Sequence, residues 1–357
     1  MSSHRKLIIN AVRSVSVCIT ILSAVSCGQT SEWRSLGFNR TISPEIENVN
    51  IPDSILGQPE MLSVNDTSMV IHDYHEGHLF TAVDLRTGKA VNRFGTIGNG
   101  PSEILVGAVG YINDGDFIVY DDDTKSVIRY DPLVGDSSFR KLNIDIPAEA
   151  NISRLVMYND STGVMMGSYN DSYKYMMFRR NKGVTDSIVE IMGIHDERLN
   201  SFHRYLAEQG QVTISPDRTR LAATTNYSGN IDFMRLKPDR LEVIRLNRMR
   251  NPELVPKTIA NMASQMIPSM NQPLGYIGVA SNDDYVFALY APHNLEEGGY
   301  YSPYILCYSW DGEPIAVMDT RQNTYALGAN SNSLYIMTMD KDGAYHIQKI
   351  DLDNIGI

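Results

Sequence analysis

The sequence predicts an all-β chain: a six-bladed β-propeller of four-stranded antiparallel blades, closed by an N-terminal strand and carrying short helical insertions. Three observations predict it. One hairpin phrase recurs along the chain, most copies are flanked by further short strands, and the last copy stops one strand short. With 357 residues, 43% of them hydrophobic, the chain has enough apolar content for a large packed core.

The phrase is a short apolar strand, a turn rich in Asp, Asn and Gly, and a second apolar strand ending in Asp or a Gly turn. Met69–Tyr74 followed by Leu79–Asp84 is one copy, and Phe117–Asp121 followed by Val127–Asp131 is the next. Further copies run over Val164–Arg179, Leu221–Leu236, Tyr285–Trp310 and Leu334–Asp351. An additional strand precedes each, near Leu62, Val109, Leu155, Val212, Ile277 and Tyr325, at spacings of about 46 to 65 residues. Most copies gain a last strand: Val91–Phe94, Phe139–Leu142, Ile188–Ile191, Leu241–Leu246 and Ile315–Met318. Four strands make a propeller blade. The final copy lacks its fourth strand, and an unpaired edge is a liability that rings remove. Glu45–Ile51 has the alternation to pair outside Tyr345–Ile350 and clasp the ring.

Three insertions interrupt the rhythm. After the third blade, Leu199, Phe202, Leu206 and Ala207 recur at helical spacing between Asp196 as N-cap and Gly210 as stop, with Arg198, Arg204 and Tyr205 directed elsewhere and free to reach a ligand. His203 falls on the apolar stripe, which reads as packing. After the fourth blade, Ile259, Met262, Ala263 and Met266 share one helical face over Pro256–Ile267. Inside the fifth, Pro292–Pro303 carries His293, Glu296, Glu297, Tyr300 and Tyr301, and aromatic area beside carboxylates suits a sugar or peptide. Arg198, Arg204, Tyr205, His293, Glu297, Tyr300 and Tyr301 are therefore the candidate binding residues.

The N-terminus has the layout of an export signal over residues 1–26: basic Arg5 and Lys6, an apolar run from Val15 to Val25, then Ala24-Val25-Ser26-Cys27. The run is short of the roughly 20 residues a spanning helix needs. A Cys after small residues resembles the bacterial lipoprotein box, which makes Cys27 the expected lipidation site, residues 27–40 a tether and 41–357 the propeller. Plain secretion is the alternative. With Cys18 and Cys27 removed or used, Cys307 cannot form an intrachain disulfide and reads as a buried strand residue. The formal net charge of −11 argues against nucleic acid.

The stretch Phe94-Gly95-Thr96-Ile97-Gly98-Asn99-Gly100-Pro101-Ser102-Glu103-Ile104 resembles the Gly-x-Gly-Pro-Gly-Glu signature of TolB-like and NHL-like six-bladed propellers. Among these it is similar to the BF3164-like propeller lipoproteins of Bacteroides-type bacteria. Gly98, Gly100, Pro101 and Glu103 carry the match, and Ser102 departs from it. The resemblance implies a binding or scaffold lipoprotein of the cell envelope, facing the periplasm or the surface. The stretch reads as an inter-blade turn rather than a phosphate cradle, because Pro101 follows directly and no Lys is present.

His72, His75, Glu76 and His78 are the densest group of metal-ligand types, but they alternate across a strand and a hairpin tip and share no face. Asp121-Asp122-Asp123 lacks the Gly and distal Glu of a calcium loop. No nucleophile elbow or zinc helix motif is present. No metal or other cofactor is assigned. The expectation is a lipid-anchored envelope module that binds a small molecule, glycan or envelope protein. The alternative is a propeller hydrolase or lyase with a divalent metal in the central channel.

Overall fold

The computed structural model describes residues 32–113, 115–169, 174–180, 182–188, 201–257 and 265–357. Blade 1 comprises Gln58–Val64, Ser68–His75, His78–Asp84 and Lys89–Thr96. Blade 2 comprises Val109–Asn113, Asp116–Asp121, Ser126–Tyr130 and Arg140–Leu142. Blade 3 is built from Asn151–Asn159, Thr162–Ser168, Tyr175–Arg179 and Gly183–Ile188, and blade 4 from Val212–Ile214, Arg220–Thr224, Ile231–Leu236 and Leu241–Asn247.

Blades 5 and 6 share one long strand, Pro314–Ala329. Its first half pairs with Ser302–Ser309 as the outer strand of blade 5, next to Tyr285–Tyr290 and Tyr276–Ser281. From Thr324 onward it is the inner strand of blade 6, beside Ser333–Met339 and Tyr345–Asp351. The expected clasp is present: Glu47 pairs with Lys349 and Asn48 with Gln348, antiparallel, on the outer edge of blade 6.

The middle strands are buried almost throughout, as in Thr162–Ser168 and Tyr285–Tyr290, because a neighbouring blade covers each of their faces. Burial therefore falls into six apolar clusters, one per blade-to-blade interface. The cluster joining Leu62, Met69 and Val83 of blade 1 to Ala326, Tyr335 and Met337 of blade 6 packs the last blade on the first. Ser331 reinforces that seam, its backbone N–H and hydroxyl donating to Asp66 at 3.0 and 2.9 Å. Cys307 is fully buried in the cluster between blades 5 and 6.

Two expectations are corrected. Residues 27–40 are not a free tether from Glu32 onward. Glu32–Leu36 forms a 3₁₀ turn that seats Trp33 4.8 Å from Tyr304, and Phe38 packs 5.0 Å from Tyr308. Thr41 and Ile42 then run parallel to Val317 and Met318. The stretch expected as a helix over Pro256–Ile267 is instead entered and left by strands, Leu254–Lys257 and Gln265–Pro268, paired antiparallel. Val255 and Ile267 face each other there, so the two ends of the stretch are extended by ladder pairing; Ile259, Met262 and Ala263 lie outside the described residues. The outer strand of blade 3 covers Gly183–Ile188, and the rest of the expected Ile188–Ile191 lies outside the described residues.

Candidate functional site

Antiparallel pairing within every blade fixes which loops share a face. Links from one blade to the next, and turns between second and third strands, all lie at the N-terminal end of the inner strands. The helix Ser201–Ala207 precedes blade 4, the hairpin 254–268 precedes blade 5, and the loop 291–301 joins the second and third strands of blade 5. All three insertions therefore rise from one face of the disc. The channel beneath them is a cavity of about 800 Å³ lined by the inner strands of all six blades.

Its mouth on the insertion face is ringed by Glu60, Arg154, Gln211, Tyr300, Tyr301, Tyr325 and Tyr345. Tyr301 and Tyr345 meet Tyr325 edge-on, with ring centroids at 5.8 and 6.0 Å. Tyr300 is 45% exposed and its hydroxyl is hydrogen-bonded to the phenol of Tyr227. The hydroxyl of Tyr325 is buried without a hydrogen-bond partner, and burial together with Tyr345 and Tyr301 raises its pKa. At the opposite end the lining is polar, with Asn65, Asp66, Asn113, Ser215, Asn282, Asp283 and Asn330. Serine and threonine hydroxyls in the wall mostly tie blades together: Ser63 accepts from the Ile112 N–H at 2.7 Å, and Thr213 and Ser281 bond at 2.7 Å.

Arg154 and Gln211 come from different blades. The Arg154 Nε donates to Gln211 Oε1 at 2.6 Å and its Nη1 to the Ser153 carbonyl at 2.6 Å. Burial lowers the guanidinium pKa to about 10, which leaves it cationic at neutral pH. Across the channel wall, burial and then the charge of Arg154 hold His72 at a pKa of about 4, so this imidazole is neutral.

Of the residues singled out from sequence, Tyr300 and Tyr301 reach the channel. His293 and Glu297 serve their own loop: His293 Nε2 lies 3.1 Å from the Gly299 carbonyl, and Glu297 forms a capping box with Asn294. Tyr205 stacks on Phe202 at 6.1 Å and feels the charge of Arg154, while Arg204 has a buried Nε without a partner. Arg198 and Cys27 lie outside the described residues. Glu103 folds back to accept from the Gly100 N–H at 2.6 Å, and a Cβ on Gly98 would fall 2.0 Å from the same carboxylate. Gly98, Gly100, Pro101 and Glu103 thus make a tight turn between blades 1 and 2.

The histidines of the first hairpin disperse. His75 lies 3.8 Å from Asp73, and His78 lies 3.8 Å from Asp136 of the blade 2 outer turn. Among the described residues no group of three or more His, Cys, Asp or Glu is placed to hold a metal ion.

A second polar centre is buried between blades 3 and 4. Asp232 has no exposure and accepts from Lys174 Nζ at 2.8 Å, from the Tyr175 hydroxyl at 2.7 Å and from Arg248. Despite burial, Lys174 and Arg248 keep its pKa below the usual carboxylate value. Glu208, just after the insertion helix, shares this environment, and desolvation raises its pKa to about 7.

A sequence profile described as TolB-like 6-blade propeller-like matches residues 47–327. No curated protein matches the sequence. Among solved structures, a member of the DUF4221 family from Bacteroides vulgatus superposes with a TM-score of 0.54 at 10% identity, covering 87% of this chain and 96% of its own. A candidate exported protein from Bacteroides fragilis does so with a TM-score of 0.53 at 11% identity, covering 86% and 94%. At such identity the likeness concerns the fold.

Proposed function

Since the chain belongs to the TolB-like six-bladed propeller family, we propose that it is an exported, lipid-anchored binding module whose ligand enters the central channel from the insertion face. The single observation that supports this reading is the channel mouth. A cavity of about 800 Å³ has the size of a small-molecule site, and tyrosines from three separate chain segments converge on its rim. Tyrosine provides flat apolar area with a polar tip at little conformational cost, which suits a sugar or peptide. The propeller supplies the rigid frame, and the insertions supply the variable surface.

The attachment half of the proposal is carried by the leader and Cys27, and a fold neighbour described as exported agrees with it. The two halves are tested separately. Cys27→Ser should move the protein from the membrane to the soluble fraction and abolish incorporation of labelled palmitate; retention on the membrane would refute the anchor. For the channel, the purified protein is screened by NMR against monosaccharides, disaccharides and dipeptides. Shifts should be lost in a Tyr301→Ala, Tyr325→Ala double variant, and binding that survives it would place the ligand elsewhere.

A further inference from the structure

We propose that Arg154 is an anion-recognition residue in the channel, and that the ligand it selects is an acidic sugar whose ring lies on the tyrosine rim. The inference rests on the channel-mouth reading and narrows it to a ligand class.

Several largely buried cations among the described residues come with a carboxylate. Lys174 and Arg248 share Asp232, and Arg250 pairs with Glu32 at 2.6 Å. Arg154 does not. Its two hydrogen bonds go to neutral acceptors, Gln211 Oε1 and the Ser153 carbonyl, and among the described residues no carboxylate pairs with it. Its Nη2 has no protein acceptor there, and the side chain lines the cavity. A desolvated cation without a counter-charge is costly, and a planar guanidinium already oriented by two hydrogen bonds is well suited to grip a carboxylate. Its field reaches across to His72, whose protonation it opposes. Of the acidic residues lining the channel, Glu60 sits at the mouth with His72 4.0 Å away, while Asp66 and Asp283 lie at the far end.

The rest of the site chooses among anions. The buried Tyr325 hydroxyl has no partner, so a ligand that brings its own hydroxyl removes a penalty that an aromatic acid would leave in place. The amide of Gln211 also lines the cavity at this mouth. A sugar ring presents C–H faces to Tyr301 and Tyr325 and hydroxyls to these groups, and a uronate adds the carboxylate for Arg154.

The test is calorimetric titration of the purified protein with galacturonate, galactose and benzoate. Galacturonate should bind roughly tenfold to a hundredfold more tightly than galactose, the range expected for a hydrogen bond to a charged partner. Arg154→Met should erase that preference, and Arg154→Lys should restore part of it. Equal affinity for the two sugars, or tighter binding of benzoate, would overturn the acidic-sugar assignment, as would undiminished galacturonate binding by a folded Arg154→Met. If Arg154→Met does not fold, the sugar comparison on the unmodified protein and Arg154→Lys still decide. Loss of galacturonate selectivity while the Tyr301, Tyr325 double variant still abolishes ligand shifts would remove this inference and leave the channel-mouth reading intact.

Discussion

Glu208 shows how one buried acid makes stability depend on pH. Its folded pKa of about 7 exceeds the ordinary 4.5, so between those values the folded protein holds a proton that the unfolded chain has released. Stability from this group is therefore full below about pH 4.5, declines as pH rises, and is lost above about pH 7. The decline should amount to roughly 1–3 kcal/mol. Asp160 acts in the opposite sense, since its hydrogen bond from Arg129 lowers its pKa and its contribution fades only in acid. Urea unfolding of the native protein and Glu208→Gln at pH 5 and pH 8 isolates the effect: the variant should be the more stable at pH 8, and parallel pH profiles would refute it. Asp232 yields a second prediction. Lys174→Met leaves it buried with Arg248 and Tyr175 alone, and should cost about 3 kcal/mol in the same assay. At this scale the site was only partly legible. Adjacent Tyr300 and Tyr301 stand out in a polar insertion, but Arg154 is one cation in a strand, and its meaning depends on Gln211 of another blade. Fifty-seven residues separate them, and only the ring brings them together.

Among the elements, the N-terminal segment departs most from its sequence. Residues 45–51 announce themselves by alternation, but Trp33 and Phe38 sit in a stretch with no period, and their burial depends on a groove formed by blades 4 and 5. That segment acts as a strap: Trp33 packs on Tyr290 and Tyr304, Glu32 pairs with Arg250, Thr41–Ile42 lies along blade 5, and Glu47–Asn48 completes blade 6. Trp33→Ala should therefore destabilise the propeller by about 3 kcal/mol, far more than a change in a free tether would. Denaturant unfolding followed by far-UV circular dichroism checks this, and an unchanged midpoint would show that the strap contributes nothing. The paired strands Leu254–Lys257 and Gln265–Pro268 illustrate the opposite error. Short apolar runs fit a helix or a strand equally well by spacing, and the pairing of Leu254–Lys257 with Gln265–Pro268 decided between them.

Apart from blades 5 and 6, which share the strand Pro314–Ala329, the whole molecule is a ring of separate sheets whose continuity comes from six packed interfaces. The rhythm of inner strands near Leu62, Val109, Leu155, Val212, Ile277 and Tyr325 was legible because each blade repeats the same apolar pattern, and all six fall on inner strands of the structure. The location of weakness was legible too, since the last copy of the repeat carries three strands and the segment before blade 1 has the alternation to supply the fourth, as Glu47–Asn48 does. Five interfaces join blades that are consecutive in sequence, whereas the sixth must bring blade 6 back to blade 1. That seam has three fastenings: the apolar cluster around Leu62 and Met337, the Asp66–Ser331 bonds, and the Glu47–Asn48 latch. Local opening should begin where the fewest fastenings must break. In hydrogen exchange followed by mass spectrometry, replacing Glu47 and Asn48 by Pro together with Asp66→Ala should deprotect Tyr345–Asp351 and Ser333–Met339 first, while Ser126–Tyr130 of blade 2 keeps its native protection. The Pro residues remove the latch donors, and the Ala releases Ser331, so both changes act on one seam. Uniform loss of protection around the ring would instead mean that the blades open as one cooperative body, with closure spread over all six interfaces.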